Sequence, residues 1–115
     1  MKGFDSLENP AEPTEVQACI TGLLREWGMA DCPEAVNRGK CYELTDTVLH
    51  QTDGQLYRLT TNDLPPEYYT ENEPGIEPEP FHVWVYDGDR HYDAETPEGV
   101  GDWRELPFFQ RTLAV

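Results

Sequence analysis

Residues 81–94, FHVWVYDGDRHYDA, predict a β-hairpin and are the most informative stretch of the chain. Two runs rich in β-branched and aromatic residues flank Asp87-Gly88, a pair that favours a two-residue type I′ turn. With these two residues as the loop, His82 is expected opposite Asp93 in the hairpin. Side chains alternate between the two faces of a sheet. One face is therefore expected to be apolar, with Phe81, Val83, Val85, Tyr92 and Ala94, and the other to carry His82, Trp84, Tyr86, His91 and Asp93.

Two amphipathic helices are predicted before the hairpin. The first begins at Thr14, which forms a capping box with Gln17, and ends at Gly28. The second runs from Lys40 or Cys41 to His50. A strand is predicted over Gln55 to Thr61. The buried positions expected of the helices are Val16, Ile20, Leu23, Leu24 and Trp27 in the first, and Leu44, Val48 and Leu49 in the second.

The remaining segments are expected to carry little regular structure. The chain of 115 residues is long enough for one domain. Residues 1–13 are predicted to be a flexible lead, and residues 14–115 a single domain. Residues 29–40 read as a connector, and the tail after residue 94 as irregular chain or a short helix. Residues 62–80 contain five prolines and six acidic residues, which predicts an acidic surface loop, held at its middle by Tyr68 and Tyr69. The expected fold class is α+β, with N-terminal helices packed on a small antiparallel sheet.

The charge of the chain limits its partners. Eight basic residues face 23 acidic ones, which gives a formal net charge of -15. Such a chain is repelled by nucleic acid and by anionic membranes, so neither is an expected partner. Few lysines among many acids is typical of proteins of high-salt cells and their viruses, where hydrated carboxylates maintain solubility. An ordinary acidic protein and a mimic of nucleic acid are the alternatives.

Sequence signals for export and for membrane insertion are lacking. No apolar run approaches the roughly 20 residues that span a bilayer, and no apolar h-region of a signal peptide is found near the N-terminus. The cysteines, Cys19, Cys32 and Cys41, are odd in number and form no CxxC pair, which favours reduced thiols in a cytoplasm.

Three residues could carry chemistry together. Cys41 begins the second predicted helix, where free N–H groups and the helix dipole favour a thiolate. His82 would be oriented by Asp93 across the hairpin, as a general base for a nucleophile usually is. Trp84, Tyr42 and His91 are the candidate substrate-binding residues. Zinc binding by Cys41, His82, His91 and Asp93 is an alternative, although the ligand spacing is not compact.

The order Cys41, His82, Asp93, with the local sequences GKCYELTDTVL, FHVWVYDG and RHYDAE, resembles the papain-like superfamily. It is most similar to the transglutaminase-like and bacterial cell-wall endopeptidase branches. The resemblance covers residues 39–95 and implies a papain-like core, a Cys-His-Asp triad, a peptide or amide substrate and no cofactor. Tyr42 matches the aromatic residue that often follows the family's cysteine. Gln17 is the candidate for the glutamine of the papain oxyanion hole.

The function expected from these features is that of a small papain-like cysteine hydrolase or acyl transferase. In that role Cys41 attacks a carbonyl, His82 moves the proton and Asp93 orients the imidazole. The alternatives are a non-catalytic viral accessory or structural protein on the same fold, with a protein partner, and an inhibitor that mimics nucleic acid. A cytoplasmic location is expected, and the composition is compatible with a virus-encoded protein of a halophilic host.

Overall fold

The computed structural model describes residues 9–68 and 81–113, which form helices and a four-stranded antiparallel sheet. Three helices precede the sheet and one follows it, and the strands lie in chain order, β1-β2-β3-β4. The predicted α+β class is therefore confirmed. The helices are α1 (Pro13–Glu26), α2 (Pro33–Gly39), α3 (Cys41–Gln51) and α4 (Pro107–Leu113), and the strands are β1 (Tyr57–Thr60), β2 (Val83–Tyr86), β3 (His91–Asp93) and β4 (Thr96–Val100).

The sheet is covered on both faces. Helices α1, α2 and α3 pack on the face that carries Val85, Tyr92 and Ala94. The C-terminal segment covers the other face, where Leu106 and Phe109 pack on Trp84 and Tyr86. All four residues of β2 are buried, because this strand is apolar or aromatic throughout. The predicted division of the hairpin between two faces is confirmed for these side chains.

The register of the hairpin differs from the prediction by two residues. Tyr86 pairs with His91 and Val85 with Tyr92, and Gly88-Asp89 is the two-residue loop instead of Asp87-Gly88. The reason lies in the Asp87 side chain. Its Oδ1 accepts the N–H groups of Asp89 (2.8 Å) and Arg90 (2.6 Å), and its Oδ2 accepts the Tyr92 hydroxyl (2.6 Å). Asp87 is thereby fixed at the end of the strand, and Gly88, with φ 96°, takes the first loop position.

Helix α1 begins differently from the prediction and ends as predicted. Pro13 occupies the first turn, and the N-cap residue is Glu12, whose side chain makes no capping hydrogen bond. The prediction of a capping box with Thr14 as N-cap was therefore wrong. At the other end, Gly28 donates to the Arg25 carbonyl (3.1 Å) and Met29 to the Leu24 carbonyl (2.8 Å). These two bonds form a Schellman motif, which requires the positive φ of Gly28, 67°.

One helix and one strand of the structure were not predicted from the sequence. The connector over residues 29–40 contains α2, for which Pro33 supplies the first turn. The tail contains β4, whose sequence TPEGV has little strand character and which pairs with β3 through an irregular register. A short turn of Ala94 and Glu95 joins the two strands, so β4 forms by hairpin closure rather than by intrinsic propensity.

The segments expected to be irregular are partly packed on the body. Of the predicted lead, residues 9–13 are described: Pro10 bridges Gln55, and Ala11 is buried in the core. Of the predicted acidic loop, residues 62–68 are described and include a turn at Pro66–Tyr68. Tyr68 packs edge-on against Trp103, at 5.0 Å between ring centroids, whereas Tyr69 lies outside the described residues. Among the described residues, no helix combines the length and the apolar character needed to cross a bilayer.

Candidate active site

Cys41 is the first residue of α3 and is half-buried. Helices α2 and α3 are separated by a single residue, Lys40, which leaves helical geometry and lets the chain change direction. The first N–H groups of a helix have no intrahelical acceptor and favour an anion. Burial raises the pKa of the Cys41 thiol, but the His82 imidazole and the N–H groups of Val83 and Tyr42 outweigh burial. The net pKa is below the ordinary thiol value, which favours a thiolate.

His82 lies directly before β2 and is completely buried. Its N–H donates to Thr61 Oγ1 (2.9 Å), and its carbonyl accepts the Thr61 N–H (3.1 Å), so both sides of its backbone are fixed. The imidazole stacks on Phe108, with ring centroids 4.3 Å apart. Nε2 lies 3.0 Å from Asp93 Oδ2. Burial lowers the pKa of His82, but Asp93 and Cys41 raise it by more, and the net pKa is above the ordinary value.

The second ring nitrogen of His82, Nδ1, is buried and makes no hydrogen bond of standard geometry within the described residues. The Cys41 thiol nevertheless lies close enough to raise the pKa of the ring. The thiol and the ring are therefore neighbours, without a standard hydrogen bond between Nδ1 and the sulfur. Because Nε2 is held by Asp93, Nδ1 is the nitrogen left to exchange a proton with the thiol.

Asp93 is held as firmly as the histidine that it orients. Its Oδ1 accepts the N–H of Glu95 (3.0 Å), the N–H of Thr96 (3.0 Å) and the hydroxyl of Thr96 (2.7 Å). These bonds close the β3–β4 turn and leave Oδ2 for His82. Burial raises the pKa of Asp93, but the hydrogen bond and charge of His82, with the Thr96 and Glu95 bonds, hold it below the usual range. Asp93 therefore remains ionised beside the imidazole.

Cys41 meets His82 although α3 packs on the opposite face of the sheet. The side chains of His82 and Asp93 share a face with Trp84, and α3 lies over the face of Val85. The thiol, however, lies close enough to the N–H of Val83, the first residue of β2, for that group to lower the pKa of the thiol. Cys41 thus lies at the end of β2. There the N-terminus of α3 can extend past the end of the sheet to His82, the residue that precedes the strand.

Asp93 is a diagonal neighbour of His82 and not its direct partner. With Val85 opposite Tyr92, the same register places Trp84 opposite Asp93. The expectation of direct pairing was therefore wrong, while the expectation of a shared face and a hydrogen bond is confirmed. A diagonal cross-strand pair is within reach of side chains as long as histidine.

Trp84 and His91 belong to a different part of the molecule from Cys41. Trp84 is completely buried, and its Nε1 donates to His91 Nδ1 (2.9 Å). Both line a cavity with Leu59, Leu64 and Trp103, on the face covered by the C-terminal segment. Trp84 also stacks beside His82, with centroids 5.7 Å apart. The structure therefore places Trp84 behind the imidazole and His91 beyond it, rather than beside the thiol.

The other two candidates also differ in position. Tyr42 follows Cys41, is 56% exposed, and has the Arg58 guanidinium 4.9 Å from its ring centre. Gln17 is exposed on α1, near Glu15, whose carboxylate binds the Asp53 N–H just beyond the C-terminal end of α3. Eleven helical residues, about 16 Å, separate that end from Cys41. Gln17 is therefore not at the site, because α1 and α3 run in opposite directions.

The zinc alternative is not supported by the arrangement. In the part of the chain that the structure describes, no group of three His, Cys, Asp or Glu side chains is placed to hold a metal ion. His91, which that alternative required, has its Nδ1 occupied by the Trp84 indole.

Several supporting residues had no signal in the sequence. Phe108 and Thr61 fix His82 from segments 26 and 21 residues away. Glu95, two residues after Asp93, binds the Arg111 guanidinium through both oxygens (2.7 and 2.8 Å) and the Asn37 amide (2.9 Å). This cluster joins α2, the β3–β4 turn and α4 next to Asp93. Such contacts arise only when distant segments meet, so spacing along the chain does not indicate them.

The comparisons with known proteins give no family. The chain matches no protein-family model, no curated protein and no solved structure.

The titration of His91 should make the folded state sensitive to acid. Burial lowers the pKa of His91 to about 4, although the charges of Asp102 and Asp87 oppose this. Between about pH 6.5 and 4 the unfolded chain holds a proton on this ring that the folded chain does not, so stability falls as the pH falls through this window. Oδ1 of an asparagine at this position can still accept the Trp84 indole N–H. We therefore expect His91→Asn to lose about 2–3 kcal/mol less unfolding free energy than the wild type as the pH falls through this window.

Urea unfolding of both proteins at pH 4 and pH 7 measures this contribution. Between pH 7 and pH 4, the unfolding free energy of the wild type should fall by more than that of His91→Asn. An unchanged difference would show that His91 is protonated equally in the folded and unfolded states.

Proposed function

We propose that this protein is a cysteine hydrolase or acyl transferase that acts on a peptide or amide carbonyl, with Cys41 as nucleophile. The observation that carries the proposal is the buried pair of His82 and Asp93, 3.0 Å apart, near a thiol at a helix N-terminus whose pKa the imidazole lowers. A nucleophile, a base and a group that orients the base are the parts that covalent acyl transfer needs. The resemblance to papain-like enzymes in residues 39–95 points to the same chemistry.

The first chemical step is attack by the Cys41 thiolate on the carbonyl carbon. A carbon–sulfur bond forms, and the carbonyl π electrons move to oxygen. The N–H of Cys41, at the first helical position, is the candidate donor to that oxyanion. The His82 imidazolium then gives its Nδ1 proton to the leaving amine, and the carbon–nitrogen bond breaks.

The second step releases the acyl group. Neutral His82 takes a proton from water in a hydrolase, or from an acceptor amine in a transferase, and that nucleophile attacks the thioester carbonyl. The carbon–sulfur bond then breaks, the carbonyl forms again on the released acyl group, and the Cys41 thiolate is left beside the His82 imidazolium. Nε2 of His82 keeps its proton throughout and donates it in a hydrogen bond to Asp93 Oδ2, so that the ring presents Nδ1 to the thiol.

An ester substrate tests this proposal. We expect p-nitrophenyl acetate at pH 7 to give an acetyl adduct on Cys41 and continued release of p-nitrophenol over several turnovers. Cys41→Ala should abolish both, and Cys32→Ala, on the connector to α2, should change neither. His82→Gln should slow the turnover. Acetylation of Cys41 no faster than that of Cys32, without turnover, would contradict the proposal.

The second candidate is a non-catalytic protein built on the same fold. The observation in its favour is the complete burial of the His82 side chain under Phe108, which also suits a structural ion pair. The two candidates differ in Cys41. A structural pair requires no reactive thiol, so slow, single-turnover chemistry at Cys41 would favour this second function.

A further inference from the structure

We propose that Glu95 is a positioning residue that controls the reactivity of Cys41, because it fixes the segments that carry the triad to one another. The inference rests on the proposed function, since the triad is what Glu95 holds in place. The carboxylate of Glu95 is bound by the side chains of Arg111 and Asn37. Glu95 therefore acts through other residues and not on the substrate.

The main chain of Glu95 is the first link to the triad. Glu95 lies two residues after Asp93, in the turn between β3 and β4. Its N–H donates to Asp93 Oδ1 (3.0 Å), and this oxygen also accepts the N–H of Thr96, which leaves Oδ2 for His82. A displacement of Glu95 therefore moves the carboxylate that orients the imidazole.

The second link runs to the segment that leads into the nucleophile. Asn37 lies near the end of α2, four residues before Cys41, and its Nδ2 donates to Glu95 Oε1 (2.9 Å). Asn37 is buried, and its Oδ1 has no hydrogen-bond partner among the described residues. A buried polar atom without a partner costs about 1–3 kcal/mol. This penalty opposes the stabilisation from the Glu95 bond, so we expect the bond to matter more for the position of α2 than for stability.

The third link runs to the helix that covers the imidazole. Arg111 donates from Nη2 to Glu95 Oε1 (2.7 Å) and from Nη1 to Oε2 (2.8 Å). A bidentate pair of this kind fixes orientation as well as distance. The hydrogen bond from Arg111 holds the pKa of Glu95 below its usual range, so the carboxylate is charged at neutral pH. Arg111 belongs to α4, whose Phe108 stacks on His82, and the pair thus holds α4 against the ring.

Three substitutions separate positioning from simple electrostatics. Loss of the negative charge in Glu95→Ala would by itself lower the pKa of the Cys41 thiol, and loss of the positive charge in Arg111→Ala would raise it. Asn37→Ala changes no charge. If Glu95 acts by positioning, each substitution loosens the approach of Cys41 to His82, whose imidazole lowers the pKa of the thiol. All three should then raise this pKa.

Iodoacetamide labelling of Cys41 between pH 5 and 9 measures the effect. In all three variants we expect the midpoint of the rate profile to rise by at least about 0.5 pH unit, which is about a threefold lower thiolate fraction below the midpoint. The double variant Glu95→Ala/Arg111→Ala should match Glu95→Ala, because Arg111 acts through Glu95. Arg111→Lys keeps the charge without the bidentate geometry, so its midpoint should lie between those of the wild type and Arg111→Ala.

The controls are Glu98→Ala on β4 and Arg104→Ala, which remove charges of the same signs at exposed positions and should keep the wild-type profile. A loss of stability alone lowers the Tm without moving the midpoint in the folded protein. Arg111 is 42% exposed, so its variants supply the test if Asn37→Ala does not fold.

The outcomes for the inference and for the proposed function are separate. Opposite shifts in Glu95→Ala and Arg111→Ala, or wild-type profiles in all the variants that fold, would overturn the inference. Raised midpoints without ester turnover by the wild type would support the inference and contradict the proposed function.

Discussion

Replacement of His82 by alanine should slow the alkylation of Cys41 at pH 6 by at least about tenfold. In the native site the imidazolium and two backbone N–H groups lower the thiol pKa against the opposing effect of burial. Without His82, burial remains, the thiol pKa rises, and the thiolate fraction at pH 6 falls. A pKa change of one unit already alters the thiolate fraction about tenfold in this range. As the pH is raised, the alkylation rate of wild-type Cys41 should therefore begin to increase at a lower pH than the rate of the variant.

Iodoacetamide labelling between pH 5 and 9, with peptide mass mapping, gives the rate at each cysteine separately. Cys19 is the internal reference, since burial and Glu15 raise its pKa. His82→Gln keeps a polar partner for Asp93, in case the alanine variant does not fold. His50→Ala is the matched control, because His50 is exposed near the other end of the same helix. Equal Cys41 rates in wild type and both His82 variants would show that the two residues are not coupled.

Replacement of Asp93 by alanine should lower the free energy of unfolding by about 3–5 kcal/mol at pH 7. The variant leaves the buried His82 ring without its partner and removes the acceptor of the Glu95 and Thr96 N–H groups. Unpaired buried polar groups carry the full penalty of desolvation. The effect should thus be far larger than that of a surface substitution.

The pH dependence of the Asp93 contribution follows from the direction of its shift. The pKa of Asp93 is depressed in the folded state, so its stabilisation is present above the unfolded pKa near 3.9 and is lost as the pH falls through the folded pKa. Urea unfolding monitored by tryptophan fluorescence measures the effect. Asp89→Ala is the control, because that side chain is 89% exposed in the adjacent hairpin loop. Similar stabilities for the two variants would contradict the role given to Asp93.

The local sequence determined a large part of the candidate site. The start of α3 at Cys41 and the shared face of His82 and Asp93 were both predicted correctly. The error in the hairpin register did not alter the faces, because moving the loop by one residue shifts the pairing by two and preserves the alternation of side chains. Helix periodicity and strand alternation are properties of neighbouring residues, so sequence is sufficient to define them.

The tertiary structure decided the rest. The Asp87 carboxylate fixed the register only because Tyr92 lies within hydrogen-bond reach across the hairpin. The position of α3 over the strand end brought Cys41 to His82, and the antiparallel course of α1 kept Gln17 away from them. Packing of the C-terminal segment buried His82 beneath Phe108, and the indole of Trp84 engaged His91 beside a separate cavity. Each of these outcomes depends on contacts between segments far apart in the chain, whose free energies are set by packing and hydrogen bonding in three dimensions and not by residue spacing.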